Sequence, residues 1–340
     1  MAKVAPPRGE DAIREVETLF ERARKLRVLV VGETIIDDYL YCETLGKSGK
    51  EPILAARYVA RETFAGGSLA VANHLARISD EVTLLSYLGG LDPNEDFIRA
   101  RTDPKVDLHF LTVPNAPTIL KRRFVEMYPL QKLFEIYVMD SDEFVAFSDE
   151  LCAEMETMLA DYDLVVVTDY GHGMIGPAAV SVLCEKSRFL AINTQMNADN
   201  RGFNTVSKYP RADFISVSET EMRLEARQRH GDLRELIVEV SQRLSCPRII
   251  VTRGSKGCLC YDSATGFVDM PAFSSTVVDR VGAGDAVLGL TALCAVQGAG
   301  AELLGLVAAA VGAQAVATVG NRDSVDPAQV LADIRAHVAA

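Results

Sequence analysis

Short apolar runs alternate with amphipathic helical stripes along most of this chain, and that alternation restricts it to an open sheet covered by helices. Asp11 to Lys25 places apolar residues at 13, 16, 19, 20 and 23, a helical spacing, and feeds the apolar run Arg27 to Val31 that stops at Gly32. The same order predicts a helix over Ala70 to Ile78 before a strand over Val82 to Tyr87. It recurs as Asp149 to Ala160 before Leu164 to Thr168, and as Leu233 to Leu244 before Arg248 to Thr252. Strands that are apolar throughout, interleaved with helices, imply a mostly parallel sheet buried on both faces.

Two stretches break the rhythm. One is Tyr39 to Tyr58; the other is Pro117 to Tyr137, where Thr118 to Glu126 and Gln131 to Tyr137 read as a hairpin around Tyr128-Pro129. Both suit a small β appendage set into the α/β body. A two-sided sheet binds ligands beyond the carboxyl ends of its strands, so an appendage rooted near Asp37 and Lys121 is placed to act as a lid over such a site. With no repeat, low-complexity tract or linker in view, residues 1–340 read as a single domain with lid segments at about 39–58 and 117–137.

The 47 acidic and 35 basic residues give a net charge of -12, which repels nucleic-acid backbones and anionic lipid and leaves a small molecule as the expected partner. Seven scattered cysteines do not form a disulfide framework, and Cys258-Leu259-Cys260 reads as a buried structural pair with both thiols on one strand face. Met1 to Glu10 lacks the apolar core of a signal peptide, and apolar runs are interrupted before about 18 residues, so the cytoplasm is the expected location.

The chemistry concentrates in Asp279-Arg280-Val281-Gly282-Ala283-Gly284-Asp285, directly before the apolar helical run Ala286 to Val296. Small residues there let backbone N–H groups converge on an anion at a helix N-terminus, where the helix dipole favours negative charge. Asp285, read as the first helical residue, is placed to take a proton from an attacking hydroxyl while those groups hold the charge on a transferring phosphoryl. Taken alone, the same residues also describe a glycine-rich loop with an aspartate helix cap. A Walker sequence is absent, which removes one rival scheme for ATP.

At these residues the chain resembles the ribokinase or PfkB family of sugar kinases, whose C-terminal signature is D-T-x-G-A-G-D. The resemblance implies a ribokinase-like α/β three-layer sandwich with a mostly parallel central sheet and a small β lid. It also implies Asp285 as catalytic base, Gly282, Ala283 and Gly284 as the anion hole, and ATP with Mg2+. Arg280 stands where the signature has Thr and adds a cation near the phosphates, beside Asp279. The opening Gly32-Glu33-Thr34-Ile35-Ile36-Asp37 looks like the family's first strand, whose Asp binds sugar hydroxyls, and Gly66-Gly67-Ser68 with Asn73 looks like its glycine pair at a helix start. Thr252, Gly254 and Gly257 correspond to a turn beside the ATP phosphates. Ser218 and Glu221 occupy the N-x-x-E position, which implies Glu221 acting on Mg2+ through water.

Within the family the pattern is most similar to the heptose-7-phosphate kinase (RfaE-like) branch, which implies Lys121, Arg123 and Asp169 at the substrate. Lys121 and Arg123 alternate onto one strand face, and with Arg122 they favour an anionic acceptor. Several positions depart from the branch: Ala70 replaces an Asn, His172 a Lys, Asn193-Thr194-Gln195 a D-P-K, and Ser218 an Asn. They leave two alternatives, a nucleoside kinase of the same fold or a sugar- or nucleotide-binding homologue without turnover. The amide-rich Asn193, Gln195, Asn197 and Asn200 would then read polyol hydroxyls or form only a polar loop. The 55 residues after Asp285 are too few for a nucleotidyltransferase domain, so that activity is expected in a partner, and the lid edges suggest a homodimer.

Overall fold

The computed structural model describes residues 9–274 and 276–339, so most of the polar opening segment Met1 to Glu10 lies outside the described residues. The body begins with α1 (Glu10–Ala23) and β1 (Arg27–Gly32), and β2 (Thr34–Lys47) and β3 (Leu54–Gly67) follow before α2 (Ser68–Ala76) and β4 (Glu81–Gly89). Next come α3 (Glu95–Arg101), β5 (Val106–Val113), β6 (Ile119–Glu126), β7 (Gln131–Val138), α4 (Ser141–Ala146) and α5 (Ser148–Met158). The central portion is β8 (Leu164–Asp169), α6 (Pro177–Lys186), β9 (Leu190–Thr194), β10 (Phe214–Ser218), α7 (Glu219–Glu225), α8 (Leu233–Arg243) and β11 (Arg248–Thr252). The chain closes with β12 (Cys258–Asp262), β13 (Gly266–Met270), α9 (Ala283–Ala295), α10 (Ala301–Ala315) and α11 (Pro327–Ala339).

Among the described residues, nine strands form the main sheet in the order β13-β12-β11-β10-β9-β8-β1-β4-β5. Every neighbouring pair is parallel except β11 with β12 and β12 with β13. Alternation across the pleat explains the unbroken apolar runs: Val28 and Val30 of β1 join the core under α1, α2, α9 and α10, whereas Leu29 and Val31 join the core under α5, α6 and α8. Two cores, one on each face, make the three layers. Sheet order reverses at β1, whose neighbours are β4 on one side and β8 on the other, and the crevice outside that reversal is where such sheets take ligands.

The lid is a separate four-stranded sheet, β3-β2-β6-β7, with its own small core of Tyr39, Tyr41, Phe64 and Val125. Its strands exceed the expected segments, because β2 starts at Thr34 and β3 runs to Gly67. Only Glu33 separates β1 from β2, so the strand that leaves the main sheet becomes the lid directly. Cys258 and Cys260 do share a face, with Sγ atoms 3.7 Å apart.

Candidate active site

A cavity of about 570 Å³ opens between the lid and the carboxyl ends of the main strands. One end is lined by Asp37, Gly67, Lys121, Arg123 and Tyr170, the middle by Gly282 to Asp285, and the far end by Ser218, Glu221, Thr252, Gly254 and Gly257. Ala272, Phe273, Val277, Ala309 and Val316 add an apolar wall at that far end. The cavity thus runs from a charged pocket, past a helix start, to an apolar slot.

The helix start is built by Gly282. Its φ of 83° is the left-handed conformation that glycine tolerates, and a Cβ there would collide with Asn321 Oδ1. Gly282 is the N-cap and α9 begins at Ala283, so Asp285 is the third helical residue rather than the first. Ala283 and Gly284 then keep the first turn open to the cavity. Burial pushes the Asp285 carboxyl from 3.8 up to about 7, with Asp37 and Glu221 adding and the Tyr170 hydroxyl and Lys121 opposing. A carboxyl in that range is matched to proton transfer near neutral pH.

At the charged end, Asp37 is buried and ion-paired with Arg123, which also reaches Glu135 at 3.2 Å. Gly66 sits against Asp37 so closely that a Cβ would strike its carboxylate, and Gly67 caps α2 at φ 58°. Lys121 is as buried as Asp37, yet among the described residues it forms no ion pair; its ammonium faces the rings of Tyr137 and Tyr170 at 5.0 and 5.7 Å. Burial draws its pKa down, and Arg123 adds to this against Asp37, Glu135 and Glu33. Arg122 points the other way, to Asp38 at 2.7 Å, as the two-residue period of a strand requires.

Four expectations change. Asn73 lies outside the cavity lining; its amide holds the end of α3, donating to the Arg101 carbonyl at 3.0 Å and accepting from the Asp103 N–H at 2.8 Å. Asp169 is buried beneath the site and bound by the Tyr209 hydroxyl at 2.6 Å and by Lys208, so it supports the following loop instead of meeting substrate. Asp279 also faces away from the cavity. Its carboxylate accepts from the Tyr39 hydroxyl, the Lys132 ammonium and the backbone N–H groups of Arg280, Val281 and Gly320, tying the lid to the glycine-rich loop. Burial opposes ionisation of Asp279, but Lys132 and Tyr39 hold its pKa below the ordinary value.

Finally, the amide-rich stretch divides: Asn193 and Gln195 line the cavity, whereas Asn197, Asn200 and Asn204 brace the loop after Asp169. Asn197 and Asn200 donate to the Tyr170 carbonyl, Asn204 to Asp169, and Asn193 to the Ser216 carbonyl.

Ser218 and Glu221 form a capping box on α7, the Ser218 hydroxyl accepting from the Glu221 N–H and the Glu221 carboxylate from the Ser218 N–H. Serine therefore keeps the cap that Asn would supply. The other Glu221 oxygen accepts from the Met196 N–H at 3.1 Å. Thr252, Gly254, Gly257 and Arg280 all border the cavity, with Gly254 at φ 59° and Gly257 at φ 80°.

Three residues outside the expected set contribute to the site: Tyr170, Glu33 and Asn321. The Tyr170 hydroxyl donates to Asp285 Oδ1 at 2.7 Å. Glu33 accepts from the N–H groups of Tyr170 and His172, both at 3.0 Å, and its pKa is raised by burial and by Asp169. Asn321 lies between Gly282 and Asp37, with Nδ2 3.4 Å from Asp37 Oδ2. The G-E and D-Y dipeptides were visible in the sequence, but their partners are more than a hundred residues distant. His172 is buried, kept neutral by burial and by Lys121, with Nδ1 3.3 Å from Asp199.

Comparison with known proteins agrees with this geometry. The pfkB family carbohydrate kinase profile matches residues 25–328. The bifunctional protein HldE of Citrifermentans bemidjiense is 28% identical over 329 residues, covering 94% of this chain and 66% of that protein. The chain thus spans just under two thirds of that relative's length. The D-beta-D-heptose 7-phosphate kinase of Bordetella bronchiseptica is 27% identical over 276 residues, covering 80% of this chain and 85% of that one.

Among solved structures, phosphofructokinase-2 from Escherichia coli in complex with fructose-6-phosphate superposes with a TM-score of 0.71 at 14% identity, covering 93% of this chain and all of that one. The fold, the glycine-built helix start and the matched span agree: this chain belongs to the pfkB family of carbohydrate kinases.

Proposed function

We propose that the chain transfers the γ-phosphate of ATP to a hydroxyl of a phosphorylated sugar, of the heptose 7-phosphate class. The observation that carries this reading is the pairing of a buried cation with no ion-pair partner among the described residues, Lys121, with Asp285 and the α9 N-terminus along one cavity. The apolar wall at Phe273, Val277 and Ala309 suits a nucleotide base, and Thr252, Gly254, Gly257 and Arg280 border the path of its phosphates.

Asp37 orients acceptor hydroxyls, Lys121 meets the acceptor's existing phosphate, and Asp285 takes the proton from the attacking hydroxyl. The new bond forms between that oxygen and Pγ, the bond from Pγ to the bridging oxygen breaks, and ADP leaves. The first N–H groups of α9 hold the charge on the transferring group, so catalysis rests on positioning and charge neutralisation.

Glu221 borders the cavity with a carboxylate already fixed by two backbone N–H groups, which suits an outer contact to Mg2+ through water. Held there with the nucleotide, Mg2+ would supply positive charge that neutralises the phosphates.

The lid exposes Leu45, Ile53, Tyr58, Phe134 and Ile136, and we infer a homodimer formed through it. Sedimentation of the chain as a monomer at micromolar concentration would remove that part of the reading.

The test of function is a panel of sugars, sugar phosphates and nucleosides with ADP release as readout. Turnover of D-β-D-heptose 7-phosphate is expected. Turnover of nucleosides alone would overturn the acceptor, and binding without ADP release would overturn catalysis.

A further inference from the structure

Each polar atom of Tyr170 is engaged. Its N–H donates to Glu33 Oε2 at 3.0 Å, its carbonyl accepts from Asn197 Nδ2 at 2.7 Å and Asn200 Nδ2 at 3.0 Å, and its hydroxyl donates to Asp285 Oδ1 at 2.7 Å. The ring is 2% exposed and lies beneath the Lys121 ammonium. The support extends a layer deeper. Asp169, one residue earlier, accepts from Tyr209, Asn204 and the Gly171 N–H, while Gly171 adopts φ 71° with Asn200 and Asn204 packed against it.

A loop residue needs its backbone groups satisfied, but nothing in that requirement directs a phenol at a carboxylate. Buried networks that are fully satisfied fix one geometry, and here the end point of the network is an oxygen of Asp285.

We propose that Tyr170 is the positioning residue of the phosphoryl-transfer base: its hydroxyl occupies Asp285 Oδ1, leaves Oδ2 to take the acceptor's proton, and is held in place by the amide-rich segment 193–204. The inference rests on the reading of Asp285 as base. Two effects follow from the same bond. It stops rotation of the carboxylate away from the acceptor, and it stabilises the ionised form, because a hydrogen bond to a carboxylate favours the charged state.

The other groups that face Asp285 are Asp37 from β2 and Glu221 from α7, which favour the neutral acid, and Lys121 from β6, which favours the anion. Tyr170 works with Lys121 against burial.

The test compares wild type, Tyr170→Phe, Asp285→Asn and the double variant Asn197→Ala/Asn200→Ala, using ATP and D-β-D-heptose 7-phosphate. The Phe variant is expected to lose roughly 10- to 100-fold in kcat, with the KM for ATP within about twofold. The acid limb of its pH profile moves up by about one pH unit, a tenfold change in proton affinity. Carboxyl 13C NMR of the ligand-free proteins reads the same shift without an acceptor, the Asp285 resonance being the one missing from Asp285→Asn. The double amide variant shifts in the same direction by less, and supplies the answer if Tyr170→Phe does not fold.

An unmoved Asp285 titration with kcat within about twofold of wild type overturns the inference and reduces Tyr170 to packing. Turnover retained by Asp285→Asn overturns the base assignment instead, so the two failures are distinguishable.

Discussion

Asp285→Asn should abolish turnover and, at the same time, make the protein more stable at alkaline pH. The carboxyl rises from 3.8 to about 7 because the fold buries it. At about 1.4 kcal/mol per pH unit, the three-unit difference sets an upper limit of ~4 kcal/mol. Asp285 borders an open cavity where water screens it, so ~2 kcal/mol is the working figure.

A carboxyl whose folded-state pKa is raised favours the folded protein while protonated. Between the unfolded value near ~3.9 and the folded value of about 7, the unfolded chain releases its proton first, and wild-type stability declines through that window. Asn cannot titrate but still accepts from Tyr170. The variant should match wild type near about pH 4 and exceed it by ~2 kcal/mol above about pH 7.5.

For 340 residues, roughly 2.1 cal/mol/K per residue converts that gain to about 3 °C in Tm. Thermal unfolding of the ligand-free proteins across the window is the assay, alongside kcat, which should fall by about a thousandfold or more. A stability difference that stays flat with pH would refute the claim that burial sets the base's pKa. Residual turnover near a tenth of wild type would falsify the base itself.

Three further outcomes follow from the same geometry. Gly282→Ala forces a Cβ into Asn321 at a left-handed φ, so at least ~1–3 kcal/mol of strain should appear in denaturant unfolding, with loss of ATP binding by calorimetry. Lys121→Gln should raise the KM for a phosphorylated acceptor by about 10- to 100-fold while leaving that for ATP within about twofold, which steady-state kinetics would show. Asp279→Ala strands the Tyr39 hydroxyl and the Gly320 N–H, costing ~2–4 kcal/mol by urea unfolding, and should lower kcat although Asp279 does not border the cavity.

The parts legible in the sequence are those set by local pattern. Strand and helix alternation around β1, β8 and β11 follows from side-chain periodicity, and the helix start at Gly282 from the small residues that precede an apolar helical run. The hairpin at Tyr128-Pro129 was visible for the same reason.

What sequence could not assign was the direction of polar side chains whose partners lie far along the chain. Asp169, Asp279 and Asn73 sit in or beside motif-like segments, yet each is consumed by contacts to Tyr209, Lys132 or Arg101 that only the tertiary structure creates. Conversely, Tyr170 reads as an ordinary aromatic until Asp285, 115 residues later, is brought to its hydroxyl.

The carboxylate of Asp279 gathers Tyr39 and Lys132 from the lid, Arg280 and Val281 from the glycine-rich loop, and Gly320 from the segment after α10. Four stretches distant in sequence thereby become one unit for opening. Amide protons at Arg280, Val281 and Gly320 should exchange together with those of the lid strands, at one common opening free energy, rather than with the helix α9 that follows them. On the proposed reading, the loop offered to the nucleotide's phosphates is fixed by the lid side chains Tyr39 and Lys132, and a lid that opened would loosen it from behind.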